Sequence, residues 1–242
     1  TDMYVKKWVE FCKIFEINYD NFYRTTDEKH EKLAQKFWKD CADAGFIYKK
    51  KYEGLYCVGC ESFKTEKDLV DGVCPDHLKP PVKYSEVNYF LKLSAATEKL
   101  KNFLEKNPDF VKPAKLQKAL EKFVGTGLED ISISRLKENL PWGIAVPDDP
   151  DQVMYVWFEA LANYIFAVGY GEDEEKFSDF WPGVQLCGPD NLRFQGAIWQ
   201  GMLALLDIPF SRKLLVHGTV LGTDGRKTVS YTHLTLPTKR IV

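Results

Sequence analysis

Cys57-Val58-Gly59-Cys60 is followed, thirteen residues further on, by Cys74-Pro75-Asp76-His77. Each pair leaves a two-residue gap, so a tight knuckle can turn both of its side chains toward one ion. Thiolate and imidazole are donors that zinc prefers. Four protein ligands (Cys57, Cys60, Cys74 and His77) would close a tetrahedral site, structural rather than catalytic because no position stays open. Gly59 and Pro75 suit such knuckles. Redox chemistry fits less well, because the first pair lies in no βαβ pattern. Cys12, Cys41 and Cys187 fall on apolar faces and read as core residues.

A second set of candidates depends on a sheet to position it. Residues 153–156 are an apolar run and 184–187 and 213–216 read as strands, with helical patterns at about 157–168 and 191–206 between them. Strand, helix, strand, helix, strand predicts a parallel α/β sheet. Ligands of such sheets sit beyond the carboxyl ends of the strands. Trp157 with Ala160, Gly188-Pro189-Asp190, and His217-Gly218 occupy those ends. Upstream, Val5, Trp8, Val9, Cys12 and Phe15 predict an amphipathic helix. Asp27 is a good N-cap for a second helix, which carries Leu33, Phe37, Trp38 and Cys41 and stops at Gly45. Short strands are expected from Phe46 to about Leu93, broken by Pro80-Pro81. Two more helices are expected at 97–105 and 114–124, the latter with Leu116, Ala119, Leu120 and Phe123 as its stripe.

Composition sets the outer limits. The chain has 242 residues, 45% hydrophobic and 28% charged, which excludes disordered and fibrous classes. Its formal net charge of -2 excludes polyanion binding as the general design. No apolar run nears the ~18 residues that span a bilayer. No signal-peptide pattern opens the sequence, so a reducing, cytoplasmic setting is expected for the six cysteines. The sequence begins at Thr1, inside a helical pattern, and reads as a piece of a longer protein.

Several blocks resemble one family in the correct order. Phe22-Tyr23-Arg24-Thr25-Thr26-Asp27 with His30 comes first, then Tyr56-Cys57-Val58-Gly59-Cys60-Glu61 and Asp71-Gly72-Val73-Cys74-Pro75. Asn88-Tyr89-Phe90 with Leu93-Ser94, Ile133-Ser134-Arg135, Trp142-Gly143-Ile144 and Val146-Pro147 follow. Tyr155-Val156-Trp157-Phe158-Glu159-Ala160 and His217-Gly218 with Gly222, Gly225, Arg226 and Lys227 complete the set. These are similar to methionyl-tRNA synthetases of bacterial type. The resemblance implies an α/β fold, part of a class I synthetase Rossmann-like parallel sheet with an inserted zinc-knuckle connective domain. It implies the end of the first half of the nucleotide-binding domain at 1–45, the insertion at 46–150 with its knuckle at 57–77, and the second half at 151–227. It also implies methionine, ATP with Mg2+, and tRNA(Met) as substrates and partners, and a structural Zn2+.

Residue roles follow from the same resemblance. Trp157, Ala160, Leu161 and Tyr164 match the methionine pocket, with Asn191 and Gln195 beside it. Spacings of three, four and seven put the first four on one helical face. Aromatic rings contact a thioether favourably, by about 0.3–1.5 kcal/mol. Gly188, Asp190, His217 and Gly218 match the ATP side. Lys227 matches the first lysine of a mobile loop that counters phosphate charge, and is the expected catalytic residue.

The chain departs from the family pattern in places. Gly188-Pro189-Asp190 stands for Gly-Lys-Asp, and Phe194-Gln195 for Phe-His. The family's His-Ile-Gly-His segment would precede Thr1, and 228–242 is expected to be a non-native tail. The chain alone is therefore expected not to aminoacylate. Two other readings compete. A leucine, isoleucine or valine synthetase would carry an editing domain, for which the span from Phe46 to Val153 is too short. A zinc-knuckle RNA-binding module could use Lys49-Lys50-Lys51-Tyr52 on a phosphate backbone.

Overall fold

A computed structural model describes residues 2–58, 62–64, 66–75, 78–219 and 221. The first helix, α1, is Asp2–Ile14, as its spacing predicts, but none of its residues is buried. Trp8 is 59% exposed and Phe15 58%. The ring of Phe11 packs on those of Trp8 and Phe15 along the helix. Cys12, expected in a core, is half-buried. Helix α2, Glu28–Asp43, buries His30, Leu33, Ala34, Phe37, Trp38 and Cys41, a stripe at three- and four-residue spacing. Gly45 ends it at φ +76°, a left-handed position that costs glycine little.

In the next region, strand β1, Ile47–Cys57, pairs antiparallel with β2, Ser62–Lys64, and on its other edge with β3, Val82–Leu91. Short strands are expected here, but β1 and β3 are long. β1 and β3 stay in antiparallel register from Ile47↔Leu91 to Tyr56↔Val82. No proline falls inside either strand, since Pro80-Pro81 sits just before β3, so the ladder runs unbroken. Helix α3 is Thr97–Lys106, strand β4 Val111–Lys112 and helix α4 Ala114–Gly125. Strand β5, Ile131–Ser132, completes the antiparallel sheet β2-β1-β3-β5.

Short strands β6, Ser134–Leu136, and β7, Ala145–Val146, flank β8, Asp149–Met154, in a second antiparallel sheet. This corrects the expected first strand of the parallel sheet. The apolar run at 153–156 is divided: Val153 and Met154 end β8, and Val156 opens helix α5, Val156–Phe166. Polar Asp149, Asp151 and Gln152 precede the run, so the strand is too mixed for the interior of a parallel sheet. Helix α6, Glu174–Phe180, follows, its first turn capped by the Asp173 carboxylate, which accepts the Lys176 N–H at 2.9 Å.

Strand β9 is Val184–Cys187, helix α7 Trp199–Leu205 and strand β10 Lys213–Val216. β9 and β10 run parallel and adjacent, as predicted, and β10's other neighbour is β4. Leu186 is 68% exposed, so one face of this sheet is uncovered among the described residues. A single apolar core nevertheless ties α2 (Phe37), β3 (Leu91), α3 (Leu100), α5 (Phe158, Phe166) and α7 (Trp199) together. That core fixes α5 and the segment after β9 relative to each other.

Candidate active site

The carboxyl ends of β9 and β10 form the rim. Parallel pairing of Val216 with Cys187 sets Gly188 and His217 side by side. A Cβ on Gly188 would lie 3.5 Å from the His217 ring, an ordinary contact that would nonetheless narrow the open approach there. The His217 N–H donates to the Cys187 carbonyl at 3.0 Å, and the next residue, Gly218, is exposed. Pro189 and Asp190 form a single helical turn, closed by the Asn191 N–H donating to the Gly188 carbonyl at 3.0 Å. Proline at that first position loses an N–H that the turn leaves free anyway, so the backbone tolerates the departure from lysine. Asp190 is exposed at the rim.

Helix α5 reaches the same region from the other sheet. Trp157, in its first turn, stacks on Phe194 with ring centroids 4.1 Å apart and planes 19° from parallel. Ala160 is half-buried, whereas Leu161 is wholly buried in the core. Two turns along from Trp157, the Tyr164 hydroxyl accepts a hydrogen bond from Gln195 Nε2 at 2.7 Å. Burial holds the Tyr164 phenol above its ordinary pKa, so it is neutral at physiological pH. Phe194 and Gln195 belong to a wide helical turn, Phe194–Ile198, with i→i+5 bonding; such bulges recur at functional sites. Its placement depends on Gly196, where a Cβ would come within 2.8 Å of Leu120.

The structure thus brings Trp157, Tyr164 and Gln195 together, with Ala160 on the same helix, and Gly188, Asp190, Asn191, His217 and Gly218 onto one rim. Lys227, Gly222, Gly225 and Arg226 lie outside the described residues, as do Cys60 and His77. Of the four expected metal ligands, Cys57 and Cys74 are described. Cys57 ends β1, and the Cys74 N–H bonds the Lys79 carbonyl at 2.9 Å while its carbonyl accepts the Leu78 N–H at 2.7 Å. Both are buried, at 3% and 0% exposure, yet neither belongs to the main apolar core. Cys41 and Cys187, read as core residues, do belong to it.

Sequence reasoning missed three features. His30 is wholly buried and bonds the Glu159 carboxylate through Nε2 at 2.7 Å, with its other nitrogen 3.2 Å from the Tyr23 hydroxyl. This joins α2 to the first turn of α5, beside Trp157. Gln185, Gln200 and Ser211 form a buried polar cluster behind Gln195. Polar residues at the buried phase of apolar runs were the available signal. A cavity of about 370 Å³ opens between the hairpin and the start of α5, lined by Tyr56, Val82, Trp142, Tyr155 and Glu159 among others; none of the predicted methionine residues lines it. The lysines proposed for RNA are engaged within the protein. Lys49 pairs with Asp149 at 2.8 Å and lies 4.8 Å from the Tyr89 ring centre, and Lys50 lies 5.6 Å from that of Phe90.

Comparison with known proteins now adds to the geometry. The family description "tRNA synthetases class I (M)" matches residues 1–80 and 77–236, a match that runs past Lys227. A methionine–tRNA ligase from Caldanaerobacter subterraneus is 43% identical over 93% of this chain and 36% of its own length. One from Streptomyces coelicolor is 42% identical over 95% of this chain and 44% of its own. A crystal structure of Mycobacterium tuberculosis methionyl-tRNA synthetase bound by methionyl-adenylate superposes with a TM-score of 0.83 at 34% identity, over 92% of this chain and 45% of that one. The fold is therefore that of a class I aminoacyl-tRNA synthetase. Within that class, the chain belongs to the methionyl-tRNA synthetase family. It spans about a third of the length of the first relatives it matches. Among the described residues, no helix is long and apolar enough to cross a membrane.

Proposed function

We propose that this chain carries the amino-acid and nucleotide sites with which a methionine–tRNA ligase activates methionine. In that reaction a methionine carboxylate oxygen attacks the α-phosphorus of ATP. The bond from that phosphorus to the bridging oxygen breaks, and pyrophosphate leaves with the electron pair. The aminoacyl group then passes from the adenylate to a ribose hydroxyl at the end of tRNA(Met). No protein nucleophile is required, so catalysis rests on alignment and on stabilising charge at phosphorus. Trp157, Ala160 and Tyr164 would hold the methionine side chain, with Asn191 and Gln195 beside them. Leu161, expected to touch the ligand, is wholly buried and would back the helix from the core instead. Gly188 would admit the nucleotide closely, Asp190 would accept hydrogen bonds from its ribose, and His217-Gly218 would border the adenosine. Lys227 would counter the phosphate charge of ATP, which binds as its Mg2+ complex.

The observation that carries this reading is the pair of contacts from α5 to the segment after β9: the Trp157–Phe194 stack and the Gln195–Tyr164 hydrogen bond. Together they set an apolar, polarisable wall next to a strand-end rim. Equilibrium binding followed by tryptophan fluorescence tests it. Methionine is expected to bind saturably and leucine weakly, and Trp157→Ala to weaken methionine binding roughly tenfold through lost ring contact and burial. Equal affinity for methionine and leucine would overturn the reading.

A structural zinc completes the proposal. Cys57, Cys60, Cys74 and His77 would hold it, and the buried, core-independent placement of Cys57 and Cys74 supports that donor set. Bound there, the ion would cross-link residues 57–60 to residues 74–77.

A further inference from the structure

Behind the proposed methionine pocket lies a buried chain of side chains whose hydrogen-bond direction is fixed by the backbone. Gln200 is fully buried and meets two groups that cannot change role. The Ser211 backbone N–H, a donor only, lies 3.0 Å from its Oε1; the Gln195 carbonyl, an acceptor only, lies 2.9 Å from its Nε2. Turning this amide over would face two acceptors and two donors against each other, so its orientation is set. The same Nε2 donates to Ser211 Oγ at 3.0 Å and lies 3.5 Å from an end atom of Gln185. That end of Gln185 also lies 2.6 Å from Ser211 Oγ. Both Gln200 Nε2 protons are taken by the Gln195 carbonyl and Ser211 Oγ, so the Ser211 hydroxyl proton must go to this end of Gln185, which is therefore the oxygen. Gln185 Nε2 must then face Gln195 Oε1, at 3.0 Å, and Gln195 Nε2 must face the Tyr164 hydroxyl.

We infer that Gln200, Ser211 and Gln185 are positioning residues that hold Gln195 as a donor to Tyr164, and so leave the Tyr164 proton free to be donated into the pocket. Among the described residues, Gln195 is the only side chain hydrogen-bonded to that hydroxyl. Building on the methionine reading, the thioether sulfur is the weak acceptor that this proton would meet. An oppositely directed chain would make Tyr164 donate to Gln195 and present lone pairs to a sulfur that also offers lone pairs. Discrimination between methionine and norleucine, which replaces sulfur by a methylene of similar shape, is thereby set by residues that touch neither ligand. Gln195 does not titrate, so this donor state is constant across physiological pH, unlike that of a histidine.

Cross-relaxation NMR on the chain with labelled glutamine side chains reads the direction itself. The Gln195 amide protons are expected to show strong cross-peaks to the Tyr164 ring; cross-peaks to Gln185 in place of Tyr164 would overturn the inference. The ligand consequence is read as the ratio of methionine to norleucine affinity. Ser211→Ala is expected to reduce that ratio about fivefold, equivalent to ~1 kcal/mol for one neutral hydrogen bond, and Ser211→Thr, which keeps the hydroxyl, to retain it. A merely structural role would weaken both ligands together and leave the ratio intact, which would refute the positioning role. If the parent chain binds neither ligand, the methionine reading fails while the NMR result still decides the direction of the chain.

Discussion

At the residue scale, the side chains proposed for the site are held by partners far away in sequence. His30 shows the cost of losing one. His30→Ala leaves the Glu159 carboxylate, 8% exposed, without its imidazole partner. An unsatisfied buried polar group costs about 1–3 kcal/mol, more where it is charged. A fall of at least that size is expected in unfolding free energy from denaturant titration; a change below ~0.5 kcal/mol would show that the pair carries no structural load. The aromatic face of α5 was legible because 157, 160, 161 and 164 obey helical spacing. The partners of those residues were not. His30 and Glu159 are 129 residues apart, and Gln185, Gln200 and Ser211 come from a strand, a helix and a loop. No local pattern couples such residues; only the packed core does.

At the element scale, most helices were read well, although 172–175 read as an acidic loop and α6 begins at Glu174, and strand partners were read less well. Helix α2 announced itself through Asp27, its apolar stripe and Gly45. β8 was assigned to the wrong sheet because a short apolar run does not reveal its neighbours, and β4, only two residues long, carried no pattern at all. The two antiparallel sheets are tied by Asp149 at the start of β8, which accepts from the β1 residue Lys49 at 2.8 Å and from the Tyr89 hydroxyl of β3 at 3.0 Å. The Lys49 ammonium, with help from Tyr89, holds the Asp149 carboxyl below its ordinary pKa. A depressed carboxyl pKa contributes stability that is present above the ordinary carboxylate range and lost as pH falls through the folded value. Asp149→Asn is therefore expected to flatten the loss of stability between about pH 5 and pH 2. An acid limb identical to that of the parent would contradict the tie.

At the scale of the whole molecule, the order of motifs made the family and the α/β class legible, while composition did no more than exclude other classes. Cys57 and Cys74 are buried outside the main apolar core, where a bound metal would add directly to folding. One zinc per chain is expected by elemental analysis, with loss of the metal in Cys74→Ser and a lower melting temperature after chelation. A metal content near zero in freshly purified protein would remove the knuckle from the account. The uncovered faces of α1 and β9 were not legible, because periodicity reports that a face is apolar and not what lies against it.

The central claim is that α5 and the strand-end rim form one site for methionine beside adenosine. Calorimetric titration with a non-hydrolysable methionyl-adenylate analogue tests it most directly, because that ligand occupies both halves at once. The account predicts binding tighter than for methionine or AMP alone, with tenfold or greater preference over the leucyl analogue. Binding no tighter than AMP, or indifferent to the amino-acid side chain, would contradict it.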